Sequence, residues 1–425
     1  MNRLSAVRPP GLYAGDMSDQ FEQATLANGL TIIGECDPSA HTSSVGFFVK
    51  AGARDEAAPM MGVSHFLEHM MFKGTTRRTS EDINREFDAM GARSNAYTSS
   101  EMTVFYAAML PDRLAQGFDV LQDMMRPAIR EADFDVEKGV ILEEIAMYED
   151  DPGFRLYERA IEEHYAEHPL AYRILGTKET IAGMKRDSMQ AYFDHRYSAD
   201  NTVVALAGKV DFDGAVKRVE AACGHWAKTG AERRYEVPRL VAKRFEMRDA
   251  KVSRAYRVML SAGPAATDAR RYASFVAAQL LGGADNSRLH WALVETGLAE
   301  EADTSYEPKD GVGDMRTFIV CDPEKLEEAW EAVEREIAGL AGTITPEDVG
   351  RVRAKVATGV TLAGEQPEGR MHRIGRQWLV SGTRRSLQEE LEAIAQVSVE
   401  DVRRVLAEMP MSERAPRTIG TMLPA

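Results

Sequence analysis

The sequence predicts an α+β fold made of two similar halves, each a mainly antiparallel sheet packed with helices on one face. The chain has 425 residues, more than a single hydrophobic core usually organises. Extended runs are joined by a hairpin signal, whereas other stretches repeat apolar residues with a helical period. The same order of a predicted strand, a proline and a predicted helix, here called the strand–proline–helix plan, also occurs at two distant places in the chain. These observations favour a duplicated α+β architecture.

The N-terminal half opens with predicted strands. Asn28-Gly29 separates two extended runs in FEQATLANGLTIIGE, which indicates a hairpin, and SSVGFFVKAGA predicts another strand. Helical periods follow in GVSHFLEHMMFKG and in TSEDINREFDAMGA, where Thr79 or Ser80 can cap the helix. The segment SNAYTSSEMTVFYAAML is extended again, because Thr, Val, Tyr and Phe favour strands.

The duplicated plan sets the predicted domain limits. TVFYAAMLPDRLAQGFDVLQDMM and RTFIVCDPEKLEEAWEAVEREI both read as a strand, a proline start and an amphipathic helix, with Pro111 and Pro323 in equivalent places. Each of these two segments is followed by a predicted helix that begins with acidic residues. We therefore predict domains at 17–228 and 240–425, joined through the charged, irregular stretch HWAKTGAERRYEVPRL.

Composition excludes some functions. The net charge is -15, which argues against nucleic acid as a partner but leaves a basic peptide possible. The three cysteines, Cys36, Cys223 and Cys321, form no C-x-x-C pair and suggest a reducing compartment. Neither a signal peptide nor an apolar span of about 20 residues is visible. We expect a cytoplasmic protein that does not bind membranes.

The stretch SHFLEHMMFKG carries the pattern H-x-x-E-H at His65, Glu68 and His69. Residues i and i+4 lie on one face of a helix, so the two imidazoles can chelate one ion. Zinc held by two histidines and a carboxylate keeps a position for water, whose pKa it lowers. Glu68 is then the expected general base rather than a ligand.

A second H-x-x-E-H occurs at His164, Glu167 and His168. Pro169 follows it directly and disfavours helical geometry at the preceding residue. We therefore predict that His168 lies in an exit turn and that His164 is a helix-end or surface residue. This second pattern is not expected to hold a metal.

Several segments in order resemble the pitrilysin/insulinase-type zinc peptidases, and most closely the branch of mitochondrial processing peptidase and its bacterial relatives. They are GVSHFLEHMMFKGT, GARSNAYTSSEMTVFY, VEKGVILEEIAMYEDDP, HPLAYRILGT and YSADNTVVALAG. The resemblance implies zinc (Zn2+) as cofactor and Glu144 as its third ligand, with Glu143 as the rival. It also places a carboxylate that orients a ligand histidine at Glu137.

The resemblance further implies an edge strand that binds substrate, with Asn95 and Ala96 nearest the scissile bond. Active relatives carry an Arg and a Tyr in the second half. Here Leu293 or Val294 stands where the Arg is expected and Glu300 where the Tyr is expected, while Tyr306 has the wrong spacing.

The resulting prediction is a zinc metalloendopeptidase that hydrolyses short or unfolded peptides. Because this chain lacks the Arg/Tyr pair, we expect a homologous partner subunit that supplies it in a heterodimer, with a homodimer as the other possible assembly. One alternative is an inactive scaffold or peptide-binding subunit of the same fold. The other is an unrelated globular protein with a chance H-x-x-E-H pattern.

Overall fold

The computed structural model describes residues 20–233, 235–283 and 285–425. The predicted start of the first domain at residue 17, and the N-terminal stretch in which no signal peptide was recognised, lie outside the described residues. The predicted limits 17–228 and 240–425 stay a prediction.

The first sheet has six strands. They are β1 Gln20–Thr25, β2 Thr31–Cys36, β3 Ser43–Val49, β4 Arg93–Thr98, β5 Thr103–Met109 and β6 Thr202–Gly208. The spatial order is β1-β2-β6-β3-β5-β4, antiparallel throughout except for the parallel pair β2–β6. The predicted hairpin joins β1 and β2, and Gly29 takes the left-handed conformation that its turn needs, with φ +92°.

The second sheet has five strands. They are β7 Lys243–Asp249, β8 Ala255–Gly263, β9 Glu301–Pro308, β10 Gly313–Cys321 and β11 Arg417–Pro424. The order β7-β11-β8-β10-β9 repeats the order β2-β6-β3-β5-β4 of the first sheet, including the single parallel pair. The predicted duplication of a mainly antiparallel sheet is therefore confirmed.

Fourteen helices surround the two sheets in the described residues. The first eight are α1 Val63–Met71, α2 Ser80–Ala89, α3 Leu114–Met124, α4 Glu131–Glu149, α5 Pro152–Tyr165, α6 Lys178–Gly183, α7 Arg186–Arg196 and α8 Phe212–Cys223. The others are α9 Arg271–Gly282, α10 Leu326–Thr343, α11 Pro346–Glu365, α12 Pro367–Ser381, α13 Leu387–Ala395 and α14 Val399–Glu408. Pro111 and Pro323 each begin a short 3-10 turn that leads into α3 and α10, as the duplicated plan predicts.

The expectation that helices cover only one face of each sheet is wrong, because the two halves exchange a helix. Helix α12, from the second half, packs on the outer face of the first sheet, where Met371 and Ile374 join Phe48 in one buried cluster. A Cβ on Gly375 would lie 2.4 Å from the Phe48 ring, so this close contact requires glycine. Helix α5, from the first half, packs in the same way on β8 and β11.

The three cysteines are buried and form no disulfide. Within the described part of the chain, no helix is both long enough and apolar enough to cross a membrane.

Candidate metal centre and active site

Helix α1 presents His65 and His69 on one side because its opposite face is apolar and buried. Phe66 and Met70 are fully buried among the first half's core residues. The helix begins after Gly62, which has φ +92° and no side chain to cap it. Instead, the buried Glu56 carboxylate accepts hydrogen bonds from the Gly62 and Ser64 N–H groups, each at 2.7 Å. Burial raises the pKa of Glu56 to about 8.

Glu144 joins the two histidines from helix α4. The two helices are packed together by Phe66 and Phe134, whose rings stack with centroids 4.7 Å apart. Glu144 Oε2 lies 3.8 Å from His65 Nε2 and 3.6 Å from His69 Nε2. His65, His69 and Glu144 form the one group of possible metal ligands found among the described residues, with ligand atoms within 4.8 Å of one another. Glu143, which precedes Glu144 in the sequence, is exposed and does not belong to this group.

The donor set fits a zinc ion. The carboxylate and imidazole atoms converge at distances too long for hydrogen bonds. Three ligands about 2.0–2.2 Å from a tetrahedral zinc lie about 3.3 Å apart, so only a small contraction is needed. Burial, with a smaller contribution from His69, lowers the pKa of His65 to about 4, which keeps its imidazole neutral. A neutral imidazole is the form that binds metals.

Glu137, expected from the resemblance to orient a ligand histidine, contacts His69. Its Oε1 lies 2.8 Å from His69 Nδ1, and its Oε2 lies 2.5 Å from Lys73 Nζ. When Glu137 accepts a hydrogen bond from the Nδ1–H group, His69 Nε2 is left free to act as a ligand. His65 lacks such support, because its buried Nδ1 has no hydrogen-bond partner among the described residues.

Glu68 lies about one turn after His65, directly precedes His69 and faces a cleft. Its Oε2 accepts a hydrogen bond from Thr98 Oγ1 at 2.5 Å. Burial raises the pKa of Glu68, while the Thr98 hydroxyl opposes that change. A carboxylate with a raised pKa can take a proton from water and release it again, which suits the expected general base.

Strand β4 forms the edge of the first sheet beside this site. Asn95 pairs with Tyr106 and Ala96 with Phe105, both on β5, and β4 has no strand on its other side among the described residues. Asn95 Oδ1 accepts a hydrogen bond from the Ala96 N–H group at 2.9 Å. A carbonyl of a strand added to this edge could take the place of the Asn95 side chain at that N–H group.

The cleft lies between the two halves. Besides His65, Glu68 and Glu144, it is lined by β4 and by α5, and the second half contributes Glu307 and Lys309 to it. Lys309 pairs with Asp314 and lies 3.2 Å from Glu307. The positive charge of Lys309, which faces the cleft from the second half, is therefore already neutralised by these two carboxylates.

The second H-x-x-E-H does not bring its histidines together. Helix α5 ends at Tyr165, and His168 lies outside it, where it caps the following turn by accepting from the Leu170 N–H group at 3.2 Å. The predicted exit turn is confirmed. The predicted helix-end position of His164 is confirmed too, but a surface location is wrong, because His164 is 1% exposed and lies 3.2 Å from Thr418 Oγ1 on β11.

The second half does not supply an Arg/Tyr pair at the predicted positions. Leu293 is fully buried in the second half's core, and Glu300 lies 2.7 Å from Arg254. Tyr306 is buried, and its hydroxyl donates to the Pro264 carbonyl at 2.6 Å. Each of these side chains is occupied by a structural contact.

Three residues that have contacts in the site were not predicted from the sequence. Thr98 lies in the segment identified as the edge strand, and Lys73 lies four residues after His69, so both had a spacing signal. Glu56 had none, because no local pattern connects it to a helix that starts seven residues later.

Comparison with known proteins agrees with this geometry. Residues 31–178 match the family described as Insulinase (Peptidase family M16), and residues 183–356 match the family described as Peptidase M16 inactive domain. The chain is 34% identical over 399 residues to an uncharacterized zinc protease of Streptomyces coelicolor, covering 90% of this chain and 86% of the relative. It is 30% identical over 385 residues to the uncharacterized zinc protease YmxG of Bacillus subtilis, covering 90% and 94%.

Solved structures share the fold. A protease from Helicobacter pylori superposes with a TM-score of 0.88 at 19% identity, covering 95% of this chain and 99% of that one. A peptidase M16 inactive domain from Pseudomonas fluorescens superposes with a TM-score of 0.89 at 17% identity, covering 96% and 98%.

The duplicated fold and the two family matches define the class of two-domain M16 peptidases. The chain belongs to the insulinase family, peptidase family M16.

Proposed function

We propose that this protein is a zinc-dependent endopeptidase that hydrolyses short or unfolded peptides. The observation that supports it most is the convergence of His65 Nε2, His69 Nε2 and Glu144 Oε2, with Glu68 beside them in the cleft. These three residues would hold a zinc ion, which would supply Lewis-acid chemistry for the attacking water and the scissile carbonyl. The zinc protease names of its relatives in Streptomyces coelicolor and Bacillus subtilis support the same activity.

The protein's own residues have distinct proposed tasks. Strand β4 holds an extended peptide through main-chain hydrogen bonds at Asn95 and Ala96, so it selects backbone shape over side chains. Glu68 accepts the proton of the attacking water and then delivers it to the amine leaving group. Thr98 holds the Glu68 carboxylate in position during both transfers.

We further propose a homologous partner subunit that completes the site with an Arg and a Tyr. The contacts of Leu293, Glu300 and Tyr306 support this, because none of the three can donate to a substrate oxyanion. A homodimer would carry two copies of the same deficiency, so a heterodimer accounts better for an active enzyme. Co-purification with the product of the neighbouring gene tests this. Full activity of the isolated chain on a flexible peptide would contradict it.

A second candidate function is a non-catalytic peptide-binding or scaffold subunit. The same three residues favour it, and so does the match of the second half to an inactive domain. A chain of complex III from Candida albicans also shares the fold, with a TM-score of 0.82 at 20% identity. The intact ligand group and Glu68 favour the peptidase instead.

Metal analysis and cleavage assays separate the candidates. The peptidase predicts one zinc per chain and cleavage of a quenched fluorescent peptide that stops with a chelator and returns with zinc. Cleavage that survives complete zinc removal would contradict it. A chance pattern predicts no stoichiometric zinc, and a scaffold predicts zinc without cleavage even with the partner present.

A further inference from the structure

Residues 54–56 form a buried tripeptide, Arg54-Asp55-Glu56, with three consecutive ionisable side chains. The Arg54 and Asp55 side chains are 3% and 1% exposed, and Glu56 is 6% exposed. Charged side chains are almost never buried unless they are paired. Each member of the tripeptide has partners, and each contacts a different part of the molecule.

Glu56 contacts the helix that carries the proposed zinc ligands. Its two oxygens accept from the Gly62 and Ser64 N–H groups at 2.7 Å each. These are the amides at the start of α1, directly before His65. The position of α1 along its axis therefore depends on where the Glu56 carboxylate lies.

Arg54 contacts both the loop after the edge strand β4 and the second half. Its guanidinium donates to Glu101 Oε1 at 2.5 Å and to the Asp310 carbonyl at 2.8 Å. Its N–H group donates to the Ser100 carbonyl at 2.9 Å. That loop continues directly from Thr98, which holds Glu68.

Asp55 contacts the segment that joins the halves. Arg233 donates to both Asp55 oxygens, at 3.0 and 2.6 Å, and lies 3.3 Å from Asp310 Oδ2. Glu101 accepts from the Asp310 N–H group at 3.0 Å. Asp310 therefore meets the tripeptide directly through Arg54 and indirectly through Arg233.

We infer that the buried tripeptide couples the position of the second half, through Asp310, to the position of helix α1 and of the Thr98–Glu68 pair. Arg54, Asp55 and Glu56 are thus positioning residues that act through α1 and the loop after β4. A shift of the second half, for example when a partner docks, moves Asp310 and with it both structures. The part of the inference that concerns zinc rests on the proposed function.

The coupling is tested first on the zinc-free protein, by hydrogen exchange of peptides that cover residues 62–71. Asp310→Asn should raise exchange there several-fold. The matched control is Asp249→Asn, which removes another ion pair between the halves, the one with Arg155 at 2.6 Å. Equal exchange in the two variants would overturn the inference without touching the zinc proposal.

A double-mutant cycle on zinc affinity provides the second measurement, by competition with a chelator. Asp310→Asn should weaken zinc binding by about 2- to 30-fold in the wild-type background and by less in Glu56→Gln, where the link is already broken. Additive effects would overturn the coupling. If Glu56→Gln does not fold, Arg54→Lys replaces it in the cycle. A wild-type chain that binds no zinc overturns the proposed function, while the exchange result still decides the coupling.

Discussion

Glu137 Oε1 lies 2.8 Å from His69 Nδ1, while the other Glu137 oxygen lies 2.5 Å from Lys73 Nζ. When Nδ1 donates its proton to Glu137, His69 Nε2 is free to act as a metal ligand. We predict that Glu137→Gln weakens zinc binding by about 10- to 100-fold, as loss of such a partner typically does. Competition with a chelator measures it. The control is Glu131→Gln, an exposed glutamate of the same helix, and equal affinities for the two variants would contradict the assignment.

Glu144, not Glu143, is the expected third ligand, since only Glu144 lies within reach of both imidazoles. We predict that Glu144→Gln lowers zinc content well below one per chain after dialysis, whereas Glu143→Gln retains it. Metal analysis of the two variants, prepared in parallel, checks this. Zinc loss in the Glu143 variant alone would reverse the assignment.

His164 should affect stability and not zinc content. Burial lowers its pKa below the usual value near 6.5, so the unfolded chain binds a proton more readily than the folded one. The contribution of neutral His164 to folding stability is fully present above about pH 6.5, and it is lost as the pH falls below that value. We predict that His164→Gln loses less stability than the wild type between about pH 7 and pH 5, measured by urea unfolding. Parallel pH profiles would contradict this.

Glu158 should give the cleft a pH-dependent preference for basic peptides. Burial raises its pKa to about 7, against the effect of Arg173 at 3.5 Å, and it lines the cleft with Glu144. Its carboxylate becomes ionised as the pH rises through 7 and then attracts cations. We predict that KM for a lysine-containing peptide falls relative to KM for a neutral one between about pH 6 and pH 8. Glu158→Gln should abolish that change, and a wild-type ratio independent of pH would contradict the prediction.

Helix α1 and its histidine pair could be predicted from sequence because the spacing that brings the two histidines together is local. Spacing within one turn places His65 and His69 together, and Pro169 shows why the second pattern fails. Glu144 is 75 residues from His69, so only the family resemblance could single it out. The sheet order repeats because the strand–proline–helix plan repeats, which periodicity detects.

Contacts between distant segments could not be predicted in this way. The apolar faces of α5 and α12 show that each helix is buried, but not that each packs on the other half's sheet. The sequence likewise suggests a surface position for His164, because it does not show that this residue contacts Thr418 in a distant segment. Arg54-Asp55-Glu56 resembles a solvated turn, because charge alone does not reveal partners such as Arg233 and Asp310.

We propose Glu68 as the proton-transferring base of a zinc peptidase. Its most direct test compares the wild type with Glu68→Gln, both with the partner subunit present, for zinc content and for cleavage of a quenched fluorescent peptide. Gln keeps the shape of the side chain but cannot accept a proton. We predict one zinc per chain in both proteins and a fall in kcat of about 10²- to 10⁴-fold in the variant. Equal kcat values in the two zinc-loaded proteins would contradict it.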